Sequence, residues 1–195
     1  METTARRASL VFLVGSLRRE SLNLKLAQAI ASGLSEADPI TVTWGGNLNW
    51  PLYNFDDENS GLTPSGVYET HSRVAACDGL VVVTPEYNSS MSAVLKNAVD
   101  WLTRIEQGAK HQVFHGKHVL VATASESMRG GIGAASATAA LFRYLGARVL
   151  PIHLCVPQAD KVFSGDRQSP HYIATSNLIN STLALLKLRL TEDLK

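Results

Sequence analysis

A group of short polar side chains, together with Arg18, follows the first apolar run of the chain, Ser9–Val14. The turn contains Ser16, Arg18, Ser21 and Asn23, and a stretch with helical spacing of apolar residues begins just after Ser21. Hydroxyl groups, a guanidinium and the free N–H groups at the start of a helix are donors that bind phosphate. The turn therefore suits a phosphate group, although the alternative is a plain helix cap by Ser21.

The glycines of this turn indicate which kind of phosphate ligand the turn suits. A dinucleotide site uses Gly-x-Gly-x-x-Gly here, and a nucleoside triphosphatase uses Gly-x-x-x-x-Gly-Lys-Ser/Thr. This turn has one glycine, Gly15, and fits neither motif. A hydroxyl-lined turn suits a terminal monophosphate better than a pyrophosphate.

A second polar turn, Pro85–Asn88, follows the third apolar run, Gly79–Thr84. Pro85 removes a ladder donor and ends the strand. Tyr87 offers an aromatic face with a polar tip, and Asn88 favours turn geometry. A loop with an aromatic ring and free amides suits a flat heterocycle, whereas the alternative is that Tyr87 simply covers the end of the sheet.

Both turns belong to an alternation of apolar runs with helical patterns. Continuous apolar runs indicate strands that are covered on both faces, and the alternation predicts a doubly wound parallel sheet with helices on both sides. Ligands bind such sheets beyond the carboxyl ends of the strands. The predicted strands are Ser9–Val14, Ile40–Trp44, Gly79–Thr84, Lys117–Ala124 and Arg148–Leu154, the last interrupted by Pro151; the predicted helices start after Ser21 and cover Val67–Ala76, Val94–Leu102, Ala134–Leu145 and Tyr172–Leu190. The long stretches 45–63 and 158–170 are expected to be irregular.

The composition excludes several classes of protein. The chain has 195 residues, a net charge of +1 and 45% hydrophobic residues, which predicts a single globular domain and argues against disorder and a basic nucleic-acid binder. Cys77 and Cys155 are too few for a disulfide framework and are expected to be small buried residues. His115 and His118 lack a partner at metal-ligand spacing, so no metal site is predicted. The apolar run after Arg6 and Arg7 is too short for a signal peptide or a membrane span, so we expect a cytoplasmic protein.

Taken together, the two turns resemble those of the NADPH-dependent FMN reductase family. Gly15-Ser16-Leu17-Arg18-x-x-Ser21-x-Asn23 is similar to the family's phosphate loop, and Pro85-Glu86-Tyr87-Asn88 with Leu95–Trp101 is similar to its flavin-ring loop and the helix behind it. The resemblance implies an α/β fold, a flavodoxin-like three-layer αβα sandwich with a five-stranded parallel sheet in the order 2-1-3-4-5. It implies one domain over residues 1–195, with a core of about 9–190.

The resemblance also implies non-covalently bound FMN and NADPH or NADH as co-substrate. A hydride would pass to flavin N5 and on to quinones, free flavin or similar small acceptors, with no protein group assigned as catalytic. A homodimer or homotetramer is expected across the helix after the third strand, through Val94, Ala98, Trp101 and Leu102, although these residues fit a monomer core equally well. The implied cofactor-binding residues are Ser16, Leu17, Arg18, Ser21, Asn23, Pro85, Glu86, Tyr87, Asn88 and Ser125.

The chain departs from the family pattern in two turns. Ser89 stands where an aromatic residue is common, and Ser92-Ala93 replaces Pro-Gly, which is expected to loosen the loop. Glu126 and Met128 replace smaller residues in the fourth turn, whose Gly130 and Gly131 are expected to let backbone approach a ligand. Two other functions are open: an FMN-binding electron carrier or sensor without turnover, and a nucleotide-sugar or phosphate enzyme that uses the same turn.

Overall fold

The structure, a computed structural model, describes residues 6–34, 38, 40–105 and 112–192. The predicted strands and helices are present along these ranges, within two residues of their predicted bounds except at the fifth strand. The strands are β1 (Ala8–Val14), β2 (Ile40–Trp44), β3 (Gly79–Val83), β4 (His118–Ala124), β5 (Arg148–Val149) and β6 (Leu154–Val156). The helices are α1 (Leu22–Ser32), α2 (Phe55–Asn59), α3 (Ser65–Ala76), α4 (Ala93–Leu102), α5 (Ile132–Tyr144), α6 (Ala159–Val162) and α7 (Pro170–Glu192), with a 3-10 turn at Gln112–Phe114.

All strands run parallel in the order β2-β1-β3-β4-β5, as predicted, and β6 is a sixth strand that also pairs with β4. The prediction of one fifth strand over Arg148–Leu154 is wrong. β5 pairs with the start of β4, and β6 pairs with its end, at Ala122–Ala124. Pro151 lies between them and has no N–H to donate to a ladder, so the strand is divided into two short pieces.

Helices cover both faces of the sheet, because successive side chains of each strand point to opposite sides. Leu10 and Phe12 of β1 pack with α1 and α7, whereas Val11 and Leu13 pack with α3, α4 and α5. These four side chains are at most 1% exposed. The continuous apolar runs are therefore buried on both faces, which confirms the three-layer arrangement.

The segment 45–63 is docked onto α4. Asn97 donates from Nδ2 to the carbonyl oxygens of Trp50 and Pro51, and its Oδ1 accepts from the Tyr53 N–H at 2.8 Å. Trp101 Nε1 donates to the same Pro51 oxygen. The ring of Trp101 is 1% exposed, so its apolar surface forms part of the core of this chain.

This segment is less irregular than predicted, since it contains α2. Asn54 caps that helix by accepting from the Asp56 N–H. Glu58 in α2 accepts from the Tyr53 hydroxyl at 2.6 Å and from Arg104 Nε at 2.9 Å. The Arg104 guanidinium and the Tyr53 hydroxyl lower the pKa of Glu58, and the bond to Glu58 raises the pKa of Tyr53. The stretch 158–170 likewise contains the short helix α6.

Within the described ranges, no helix has the length and apolar character needed to cross a bilayer. Cys77 and Cys155 are free thiols. Cys77 is buried as predicted, whereas Cys155 is partly exposed.

Candidate functional site

The turns after β1, β3 and β4 meet at the carboxyl edge of the sheet and enclose a cleft of about 240 Å³. β1 pairs with β2 on one side and with β3 on the other, so the cleft lies at the point where the strand order reverses. It is lined by all of the predicted site residues except Leu17 and Asn88. The lining residues are Ser16, Arg18, Ser21, Leu22, Asn23, Pro85, Glu86, Tyr87, Ala124, Ser125 and Glu126.

One end of the cleft is formed by hydroxyl groups and the start of α1. Ser21 caps this helix, because its Oγ accepts from the Leu24 N–H at 3.1 Å. The Ser21 hydroxyl itself donates to Ser16 Oγ at 2.8 Å, which leaves the Ser16 proton for a ligand. The N–H groups of Leu22 and Asn23 precede the first intrahelical bond and lie at this end. These donors suit an anion.

Arg18 and Glu126 face each other across the mouth of the cleft. Arg18 Nη1 lies 3.9 Å from Glu126 Oε1, and both side chains are more than 60% exposed. An ion pair this long and this exposed contributes little to folding. Arg18 is therefore available to a ligand, but with a carboxylate beside it.

The Asn23 side chain lines the cleft and is hydrogen-bonded to the end of β4. Its Nδ2 donates to the Ala124 carbonyl oxygen at 3.0 Å, and its Oδ1 accepts from the Ala124 N–H at 2.9 Å. Asn23 is 4% exposed. The amide thus joins the start of α1 to the end of β4, and it shapes the cleft by positioning these two elements.

The second turn is a tight hairpin. Tyr87 and Ser90 exchange two backbone hydrogen bonds, and the two residues between them, Asn88 and Ser89, have φ angles of 52° and 59°. Two positive φ angles in a two-residue turn define type I′ geometry. Asn88 thus forms the turn as its residue type indicated, but it lies at the tip, outside the cleft. Tyr87 is 57% exposed beside the cleft.

Glu86 connects this hairpin to α5. Its Oε2 accepts from the Ala134 N–H at 3.0 Å, in the first turn of the helix, where a carboxylate is favoured by the helix dipole. A Cβ atom at Gly133 would lie 2.9 Å from the Ser89 carbonyl oxygen, so the hairpin and the helix are in close contact. No local sequence signal links Glu86 to a helix that begins 46 residues later.

The buried Ser92 connects the turn after β1 to the turn after β3. Ser92 Oγ donates to the Gly15 carbonyl oxygen at 2.6 Å, and the Ser92 N–H donates to Thr84 Oγ1 at 3.1 Å. The same Oγ caps α4 by accepting from the Leu95 N–H. A proline at position 92 has no N–H for the bond to Thr84. Ser92 therefore ties this loop to Thr84 and to Gly15, and the expectation that the loop is looser than one with Pro-Gly stays a prediction.

The glycines of the fourth turn are required by internal packing. Gly130 and Gly131 have positive φ angles, and a Cβ atom on either would lie within 3 Å of the Pro157 nitrogen or of Thr123. Thr123 Oγ1 also donates to the Gly130 carbonyl oxygen. These contacts are made within the chain, and the expected approach of a ligand to these glycines stays a prediction.

One predicted cofactor-binding residue lines a different cleft. Leu17 lines a separate cleft with Trp44 and Leu48, on the β2 side of the first turn. Among the described residues, no group of three or more histidine, cysteine or acidic side chains is arranged to hold a metal ion. Burial raises the pKa of the Cys155 thiol, on β6.

Known proteins resemble this chain in sequence. The NADPH-dependent FMN reductase family model matches residues 8–161. A quinone reductase of Escherichia coli (strain K12) is 34% identical over 125 residues, 64% of this chain and 64% of that protein. A 2-hydroxy-1,4-benzoquinone reductase of a Burkholderia species is 44% identical over 92 residues, 47% of this chain and 48% of that protein. The matched segments cover less than two thirds of either relative.

Solved structures share the fold. A flavoenzyme NAD(P)H:(acceptor) oxidoreductase from Paracoccus denitrificans has a TM-score of 0.79 at 21% identity, with 95% of this chain and 98% of that chain covered. An NADH:FMN oxidoreductase in its apo form has a TM-score of 0.71 at 18% identity, with coverages of 93% and 89%. At these identities the likeness shows the flavodoxin-like fold alone. Since the family model spans well over half of the sequence, the chain belongs to the NADPH-dependent FMN reductase family.

Proposed function

We propose that this protein is an FMN-containing oxidoreductase that uses NADPH or NADH to reduce quinones, free flavin or similar small acceptors. The observation that carries the proposal is the cleft at the strand-order reversal. It has phosphate donors at one end and the exposed Tyr87 ring at the other.

The donor set fits the cofactor. Ser16, Ser21 and Arg18 would hold the phosphate, together with the N–H groups at the start of α1. Pro85, Glu86, Tyr87 and Ser125 would lie on the ring side. Of the other predicted cofactor-binding residues, Asn23 would act by positioning, and Leu17 and Asn88 lie outside the cleft.

The size of the cleft supports an exposed flavin ring. Pockets that enclose a whole drug-sized ligand measure roughly 300–1,000 Å³, and this cleft is about 240 Å³. It would enclose the phosphate end and leave the ring open to solvent at the hairpin, where two substrates in turn need access to one face.

When bound, FMN supplies the hydride chemistry, so the protein needs no acid, base or nucleophile of its own for the transfer. Its residues bind and orient the cofactor instead. The type I′ hairpin fixes Tyr87, and the bond from the Ala134 N–H to Glu86 holds that hairpin against α5. Ser92 keeps the phosphate turn and the ring-side turn together.

Arg18→Ala tests the phosphate end of the site. Loss of one charge-assisted hydrogen bond costs about 1–3 kcal/mol, so the FMN Kd should rise by about fivefold to a hundredfold. Arg19→Ala is the matched control, because Arg19 is the adjacent exposed arginine and does not line the cleft. Equal effects of the two substitutions would remove Arg18 from the site.

Turnover separates the reductase from a carrier or sensor. The full chain, loaded with FMN, should oxidise NADPH or NADH when menadione is added, whereas a carrier would bind FMN and leave the nicotinamide unchanged. An absence of FMN binding would favour a different phosphate ligand, such as a nucleotide sugar.

A homodimer or homotetramer is also proposed, and so is a cytoplasmic location. Ala98, Trp101 and Leu102 of α4 are buried within one chain, which favours a role in the monomer core for these three, whereas Val94 is partly exposed. The support comes instead from Leu52 and Phe55, whose side chains are 76% and 58% exposed on the segment that covers α4. Light scattering of the purified protein measures the oligomeric state.

The proposed cytoplasmic location has separate support, because the two free thiols fit a reducing compartment.

A further inference from the structure

The charges around the cleft are unusual for a phosphate site. Of the described side chains that line it, Arg18 is the only cation, and Glu86 and Glu126 are both carboxylates. Glu86 is stabilised by the N-terminal end of α5, through the Ala134 N–H. Glu126 lies at the mouth and faces Arg18 at 3.9 Å.

A phosphate monoester that enters this cleft comes close to the Glu126 carboxylate. The monoester carries about −1.5 to −2 charges near pH 7. To pair with the Arg18 guanidinium it must displace the Glu126 carboxylate, and it then lies close to a like charge. Both effects weaken the binding of the phosphate and leave the binding of an uncharged ligand nearly unchanged.

We propose that Glu126 competes with the FMN phosphate for Arg18 and thereby makes the flavin an exchangeable ligand of this chain. The inference rests on the proposed function, because it assigns the cleft to FMN. Its consequence is a small preference for FMN over riboflavin, the same flavin without its phosphate. Flavin would then leave and enter the site between turnovers, as a diffusible substrate does.

Glu126→Gln is a clean test of this competition. The side chain of Glu126 is 63% exposed and its ion pair is long, so the substitution should leave folding unchanged. The control is Glu20→Gln, because Glu20 is a similarly exposed carboxylate in the first turn, pairs with Lys25 at 3.3 Å and lies outside the cleft lining.

The measurement is the Kd of the full chain for FMN and for riboflavin, from quenching of flavin fluorescence at low and at high salt. Glu126→Gln should tighten FMN binding by about threefold to tenfold at low salt, less at high salt, and change riboflavin binding by less than about twofold. Glu20→Gln should change neither. An unchanged ratio of the two affinities in Glu126→Gln overturns the proposal.

A double substitution decides whether the effect passes through Arg18. If Glu126 acts by competition, the gain from Glu126→Gln should be clearly smaller in an Arg18→Ala background, where only the repulsion between Glu126 and the phosphate is left to remove. A full gain in that background would show repulsion of the phosphate alone and would overturn the competition.

Inorganic phosphate, added without flavin, tests the same competition independently of FMN binding. Added phosphate should raise the Tm of Glu126→Gln more than that of the wild type, and Arg18→Ala should reduce the difference. If phosphate behaves in this way but FMN does not bind, the proposed function fails and the competition stands. If FMN binds and neither phosphate nor FMN distinguishes the variants, the competition fails and the proposed function stands.

Discussion

Replacing Asn23 with alanine should destabilise the protein substantially, because the amide is a structural bridge. The substitution removes both hydrogen bonds to Ala124 and leaves the N–H and C=O groups of that residue, which is 3% exposed, without these partners. Each lost bond costs about 0.5–1.5 kcal/mol, and each buried group left unpaired adds to that cost. Alanine is a better helix former than asparagine by about 0.5 kcal/mol, which offsets a small part of this lost stability. We expect the free energy of unfolding to fall by about 2–4 kcal/mol.

Urea denaturation followed by circular dichroism measures this loss. The free energy of unfolding falls by about 2–3 kcal/mol per molar urea, so the urea midpoint of Asn23→Ala should be about 1 M lower than that of the wild type. Gln28→Ala is the matched control, since it removes an exposed side-chain amide from the same helix and should change stability by less than about 0.5 kcal/mol. If Asn23→Ala has the midpoint of the control and weakens FMN binding instead, Asn23 is a ligand contact and our interpretation of its bonds is wrong.

Three further predictions concern the hairpin, the docked segment and a thiol. Ser89→Gly should stabilise the protein by about 0.5–1 kcal/mol in the same urea assay, because glycine adopts φ near 59° without strain; a destabilised variant would contradict the assigned turn. The pKa of Glu58 is lower in the folded protein, so the ionised Glu58 carboxylate stabilises the fold. This stabilisation is complete above pH 4.5, the ordinary pKa, and is lost as the pH falls through the lowered pKa; Glu58→Gln should abolish this pH dependence of stability in Tm measurements between pH 2 and 6. Burial raises the pKa of Cys77 to about 11, so at pH 8 its alkylation should be at least about tenfold slower than in urea, and equal rates would show an open site.

The sequence predicted the strand order and most element bounds because those depend on local patterns. Runs such as Leu80–Val83 are buried on both faces, and such runs have few alternatives to a central parallel strand. The division of the fifth strand was harder to predict. Pro151 marked an interruption, but the pairing of both pieces with β4 depends on a tertiary register that the pattern does not encode.

The candidate site was predictable as a set of turns but not as a set of side-chain roles. A helix cap by Ser21 was the alternative to a phosphate contact, and Ser21 caps α1 while it also lines the cleft. Asn23 has the right residue type for a phosphate contact, but its partner is Ala124, 101 residues away, and nothing nearby in sequence indicates that bond. The bond between Glu86 and Ala134 escaped prediction for the same reason.

The divided fifth strand also affects how the molecule behaves at high concentration. β5 and β6 occupy the outer position beside β4, where they form pieces of two and three residues around Pro151. A long unbroken edge would offer a row of free N–H and C=O groups to a strand of another molecule, which is a route to aggregation. The interruption shortens that row and removes one donor from it, so edge-to-edge extension of the sheet is disfavoured on this side. Contacts between copies on this side are then more favourable through helices or loops.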